Sequence, residues 1–199
     1  MPFTPFHLGP GLALKALGGE RFSLIAFGVA QVAMDIQPLL GLINNWPVLH
    51  GWTHSLLGAT AMGVLVGLLT PRLGRLLLRH WNEHWRDEGL PGFAAGDSLG
   101  RSAALVGALL GCWVHVALDA IMHADLHPFW PWSDARPLLR LLSLSALHRA
   151  CIVAGVAGAA VWLWRGWRRR HLLSQQAPAP GRAEAKRADF RGRHKGSQQ

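Results

Sequence analysis

Four stretches of this chain are apolar for close to twenty residues each, and few folds tolerate that. They run over Phe22–Ile43, Trp52–Leu69, Ser102–Met122 and Leu144–Leu163. About twenty apolar residues in helical form cross the roughly 30 Å of bilayer hydrocarbon. Inside hydrocarbon every backbone N–H and C=O needs a partner within the protein, so these stretches are expected as helices. The second is the shortest and is expected to stop before Pro71. Small residues recur four apart at Ala59, Gly63 and Gly67, and again at Ala103, Gly107 and Gly111. That spacing lets helix backbones approach closely in lipid. The competing reading is a soluble bundle of Gly- and Ala-rich buried helices, which needs no apolar stretch of this length. The sequence therefore predicts an all-α fold: a polytopic membrane helix bundle with about four transmembrane helices.

Composition agrees. Only 16% of the 199 residues are charged, against about 25% in soluble domains. There are ten Trp, a residue suited to membrane interfaces because its ring is apolar with one polar edge. The formal net charge of +9 sits largely in the flanks and tail. That pattern fits topology rather than a nucleic-acid surface, so no specific nucleic-acid binding is expected and the bilayer is the expected partner. Cys112 and Cys151 both fall in apolar stretches and read as small buried hydrophobes, not as a disulfide framework. No cleavable signal peptide is evident.

Lys and Arg set the expected orientation. Lys15 and Arg21 precede the first stretch, Arg72, Arg75 and Arg79 follow the second, and Arg165, Arg168, Arg169 and Arg170 follow the fourth. The link Asn44–Gly51 has none, and the link between the third and fourth stretches offsets Arg136 and Arg140 with Asp125 and Asp134. Both termini and the middle loop are therefore expected to be cytoplasmic. Residues 1–172 read as the membrane-embedded helical domain, with a short apolar helix at Phe6–Leu17 and a polar connector at His80–Ala95. Residues 173–199 read as a disordered basic cytoplasmic tail.

Ionisable residues inside spanning segments are costly and usually functional. Asp35 lies in the first stretch, His50 and His54 open the second, His115 and Asp119 lie in the third, His123 ends it, and His148 begins the fourth. The orientation above puts them all at the outer level. His115, Asp119 and His123 are four apart and share one helix face. Imidazole and carboxylate suit zinc, manganese or iron, and an open coordination position would make water a nucleophile at neutral pH. Taken singly, His127 and His148 read as interfacial or hydrogen-bonding residues. A proton or metal relay, or a transporter, would use the same residue types. His80-Trp-Asn-Glu-His84 fits the H-x-x-E-H pattern of inverted zinc peptidases, but it lies in a charged connector on the opposite side.

Four motifs in order carry a family resemblance: Phe6-His7-Leu8, Met34-Asp35-Ile36, His50-Gly-Trp-Thr-His54-Ser55 and Val114-His115-Val-Ala-Leu-Asp119, with Pro128-Phe-Trp-Pro131 after them. Over about residues 5–132 the chain resembles the YdjM-type membrane-bound metal-dependent hydrolases, also described as LexA-binding inner-membrane hydrolases. The resemblance implies that His7, Asp35, His54, His115 and Asp119 are the shared polar set. The chain departs from the family where Gln37 replaces a second carboxylate after Asp35, and in the spacing of His50 from Thr-His-Ser. The order of ligands is also similar to that of zinc-dependent phospholipase C.

The resulting expectation is a multi-pass protein of a bacterial inner membrane. A divalent metal ion, zinc by its ligands, is expected on His54, His115 and Asp119, with Asp35 bridging or adjacent. His50 or His123 would complete the shell or move protons, with Asp119 and His123 as the catalytic candidates. A lipid or phosphoester substrate is expected. Counting spans alone puts His7 on the inner side, away from the others, so either the first short helix re-enters the bilayer or His7 is not a ligand.

Overall fold

Long apolar helices in lipid meet where their side chains are smallest, and that rule orders the bundle. The computed structural model describes residues 5–88 and 100–176. Among the described residues the regular elements are all helices, joined by irregular links, with no strand. The helices are α1 (Gly9–Gly18), α2 (Leu24–Ile43), α3 (Leu56–Asp87), α4 (Arg101–Met122) and α5 (Leu144–Gln176). Four regions are long and apolar enough to cross a membrane: Leu24–Ile43, Leu56–Leu76, Arg101–Met122 and Leu144–Arg165.

The chain divides into two compact units, Met1–Trp162 and Leu163–Gln199. In the second unit the Arg168 guanidinium lies over the Trp164 ring at 4.9 Å. The part of the expected tail beyond residue 176 lies outside the described residues.

In the first unit the two small-residue stripes face different partners. A side chain at Gly63 or Gly67 would meet the Leu109 or Leu105 backbone, so α3 lies directly on α4. Gly107 and Gly111 instead receive α2: a Cβ at Gly107 would stand 2.3 Å from the Ser23 carbonyl oxygen. Ser23 is held there because its N–H donates to the Ala103 carbonyl at 3.1 Å, while its hydroxyl caps α2 by accepting from the Ala26 N–H. The core between these helices is Ala26, Ala30, Met34, Ala104, Ala108, Cys112 and Val116, mostly small residues.

Two expectations change. The second apolar stretch does not end before Pro71; α3 carries the proline inside and continues to Asp87, absorbing the first part of the expected connector. Thr70, just ahead of the proline, donates its hydroxyl to the Val66 carbonyl at 2.7 Å. Residues 89–95 of the connector lie outside the described residues.

The second change concerns α1. It does not lie off the inner side of the bundle. Gly9 packs on the Cys151 backbone, Gly158 of α5 packs on Leu12 and Ala13, and Gly11 packs on Phe27 of α2. The turn from α1 into α2 is closed by the Lys15 ammonium, which donates to the Gly19 and Phe22 carbonyls at 2.7 and 2.9 Å. Ten residues of α1 rise about 15 Å, and the eleven steps from Leu24 to Asp35 about 16 Å. The hairpin therefore returns His7 to the level of Asp35.

Candidate metal centre

Each polar residue reaches one place by a local cause. His54 ends a 3-10 turn, Trp52–His54, just before α3. Ser55 then caps α3 by accepting from the Gly58 N–H at 3.0 Å. Gly51 beside it leaves room for the Gln37 side chain, since a Cβ there would stand 2.3 Å from the Gln37 amide nitrogen. That absence lets Gln37 reach Thr53 as a hydrogen-bond acceptor. His115 and Asp119 share one face of α4, one turn apart. Asp125 pins the facing link by accepting from the Leu49 and His50 N–H groups, both at 3.1 Å.

Asp119 is the point of convergence. Its Oδ1 lies 3.5 Å from His7 Nε2. Its Oδ2 lies 3.2 Å from His115 Nε2 and 3.8 Å from both His50 Nε2 and His54 Nε2. Asp35 Oδ1 lies 3.6 Å from His115 Nε2. All six residues are buried. Of the expected site residues, His123 stands at the edge, its ring stacked on His50 at 4.0 Å between centroids. His148 stacks on Phe6 at 4.3 Å, and His127 faces Asp134 at 3.4 Å in the link between α4 and α5. His80 and His84 are exposed on α3, about 36 and about 42 Å of helix beyond its start near His54.

The surrounding hydrogen bonds assign the imidazole tautomers. Gln31 spends its amide N–H on the Gly111 carbonyl, so its oxygen must accept from His115 Nδ1–H, at 2.7 Å. Thr53 gives its hydroxyl proton to Gln37, so it accepts from His54 Nδ1–H at 3.1 Å. The Asp125 carboxylate accepts from His50 Nδ1–H at 3.0 Å. In each ring the proton sits on Nδ1, and the bare Nε2 lone pair points at an acceptor, the Asp119 carboxylate. Histidines that bind metals are oriented in this way, by an acceptor on the far nitrogen.

Lone pairs aimed at a carboxylate repel unless something positive lies between them. Four buried nitrogens here make no hydrogen bond: both of His7, Nε2 of His54 and Nε2 of His115. A buried polar atom left without a partner costs about 1–3 kcal/mol. Protons fill the gap poorly near pH 7. Burial pushes the His7 imidazole down to about 4 and the His54 imidazole down to about 3. Burial, and then His50, also lowers the pKa of His123. Burial alone would raise the Asp125 carboxyl, but hydrogen bonds from His50 and Leu49 outweigh it and hold it at about 2. The donor set, imidazole Nε2 with carboxylate oxygen, fits a divalent cation.

Gln31 and Asp125 were not singled out as site residues by sequence reasoning, and Gln37 and Thr53 were noted only within the resemblance motifs. Gln31 had a signal: it precedes Asp35 by four in an apolar helix, on the same face. Asp125 had none, since its partner His50 is 75 residues away.

No curated protein and no solved structure matches the chain significantly. Residues 7–175 match the family described as YdjM inner membrane protein. With four apolar spans and all four resemblance motifs falling within or beside the matched region, this chain belongs to the YdjM inner membrane protein family.

Proposed function

We propose that this chain is a metal-dependent hydrolase embedded in the inner membrane, acting on phosphoester groups of the phospholipid type. The observation that supports it is the set of buried, unbonded Nε2 atoms facing Asp119. Zinc suits the mixed imidazole and carboxylate donors, and His7, Asp35, His50, His54, His115 and Asp119 would hold it. A bound divalent ion supplies Lewis acidity, stabilising charge on a phosphoryl oxygen and making water a competent nucleophile near neutral pH.

The rest falls to this chain's own side chains. Gln31, Thr53 and Asp125 hold the Nδ1 protons of His115, His54 and His50 and so aim the rings. His123, half-buried beside His50 and kept neutral by burial, is placed to accept a proton from an attacking water. Exposed Trp46, Trp52, Trp130 and Trp132 lie in the two links that border the site. Such a rim fits the headgroup boundary, where a lipid phosphoester would lie. The ligand end is read as outward-facing, and the α3–α4 link and C-terminal end as cytoplasmic, from the distribution of Lys and Arg.

The test is metal content and phosphoester hydrolysis by the purified protein in lipid, for wild type, His115→Ala and Asp119→Ala. Bound metal and hydrolysis in the wild type, both lost in the variants, is the expected result. Equal trace metal in all three removes the reading. Ion flux without hydrolysis would favour a transporter.

A further inference from the structure

The centre holds more donors than one ion uses. A catalytic zinc takes three protein ligands and keeps a fourth position open. Here six side chains converge, and their donor atoms divide into two groups. His7, His115 and Asp119 form one; His50, His54 and Asp119 form the other; within each group the donor atoms lie within 4.8 Å of one another. The two groups share Asp119. Its oxygens are apportioned, with His7 on Oδ1 and both His50 and His54 on Oδ2. His115 touches Oδ2 as well, yet its ring meets His7 edge-on at 4.9 Å, and its Nε2 also faces Asp35. Asp35 therefore stands at the outer edge of the first group.

A third set, His50, His123 and Asp125, also satisfies the distance condition. Two of its three members, His50 and Asp125, are already committed to one another. Asp125 accepts two backbone N–H groups and the His50 Nδ1 proton, which turns His50 Nε2 toward Asp119. This set orients the second group.

Resting on the metal reading above, we propose that the chain binds two divalent ions side by side, bridged by the Asp119 carboxylate, one on His7 and His115 with Asp35 and one on His50 and His54. A carboxylate shared by two donor groups, with one oxygen beside His7 and the other beside His50, His54 and His115, is placed as a bridging ligand, and ions in two-metal sites lie about 3.5–4 Å apart. Charge agrees with a phosphoester. Two dications against Asp35 and Asp119 leave the pair net positive, whereas one dication would be neutralised and offer an anionic substrate little.

The experiment is metal stoichiometry and electron paramagnetic resonance on the full-length, untagged protein, stripped, reloaded with Mn2+ and desalted. Two equivalents per chain with an exchange-coupled spectrum are expected. His7→Ala and His50→Ala should each keep one equivalent and lose the coupling. One equivalent in the wild type, or two without coupling, overturns the bridged pair while the metal reading stands. No metal in the wild type overturns both. The wild-type spectrum decides even where a variant fails to fold, and repeating the stoichiometry with Zn2+ checks that two equivalents are not peculiar to manganese.

Discussion

Gln31 decides which nitrogen of His115 faces Asp119, although it touches neither carboxylate. Asp125 does the same for His50. Outer partners of this kind are worth about 10–100-fold in metal affinity. Gln31→Leu and Asp125→Asn are therefore expected to weaken metal binding by about that factor, measured by competition against a chromophoric chelator, with helix content unchanged. Acid should act through the same rings. His7 and His54 are depressed to about 4 and about 3 in the folded chain, while an unfolded histidine titrates near 6.5. The unfolded chain thus binds more protons between these values. Stability of the metal-free protein is full above about pH 6.5 and should fall as the pH drops toward about 4. Thermal unfolding in detergent across that range checks it, and a flat profile would mean that the imidazoles are not buried as described.

At the scale of the helix, close backbone approach does most of the positioning. Gly107 admits the Ser23 carbonyl, and Gly158 admits the backbone of α1. Gly107→Ala is expected to destabilise the bundle by about 1–3 kcal/mol, since overpacking must push backbone aside; unfolding in mixed micelles measures it. Gly158→Leu should be more informative. It displaces α1 from α5, and His7 travels with α1. Equilibrium dialysis should show weakened metal binding while far-ultraviolet circular dichroism stays helical. Both glycines sit in a sequence pattern that announces tight packing, but the pattern does not name the partner. The stripe on α3 meets α4, and the stripe on α4 meets α2, because each helix has two faces and only the assembled bundle assigns them.

For the whole molecule, the distribution of Lys and Arg predicts which end faces which compartment. In a background lacking Cys112 and Cys151, Asn45→Cys should react with a membrane-impermeant maleimide in intact spheroplasts. Glu83→Cys should react only after lysis. The reverse pattern would place the ligand end in the cytoplasm. The start of the described chain does not follow simple counting of spans. His7 stands with Asp119, at the opposite end of the hairpin from Lys15 and the turn into α2, because α1 folds back along α2.

The four apolar stretches and their polar residues were legible in order and number, because the bilayer leaves a chain little choice about where helices run. The common depth of Asp35, His54, His115 and Asp119 followed from the same constraint. What only the tertiary structure decided was who faces whom. It brought His7 in through a helix too short to span, and it tied His50 to Asp125 across 75 residues. It also gathered the expected residues into neighbouring groups of potential metal donors, two of which share Asp119. Periodicity places a residue on a face and at a depth, but the rotation of one helix against another comes from contacts distant in the chain, and the direction of each lone pair comes from a hydrogen bond.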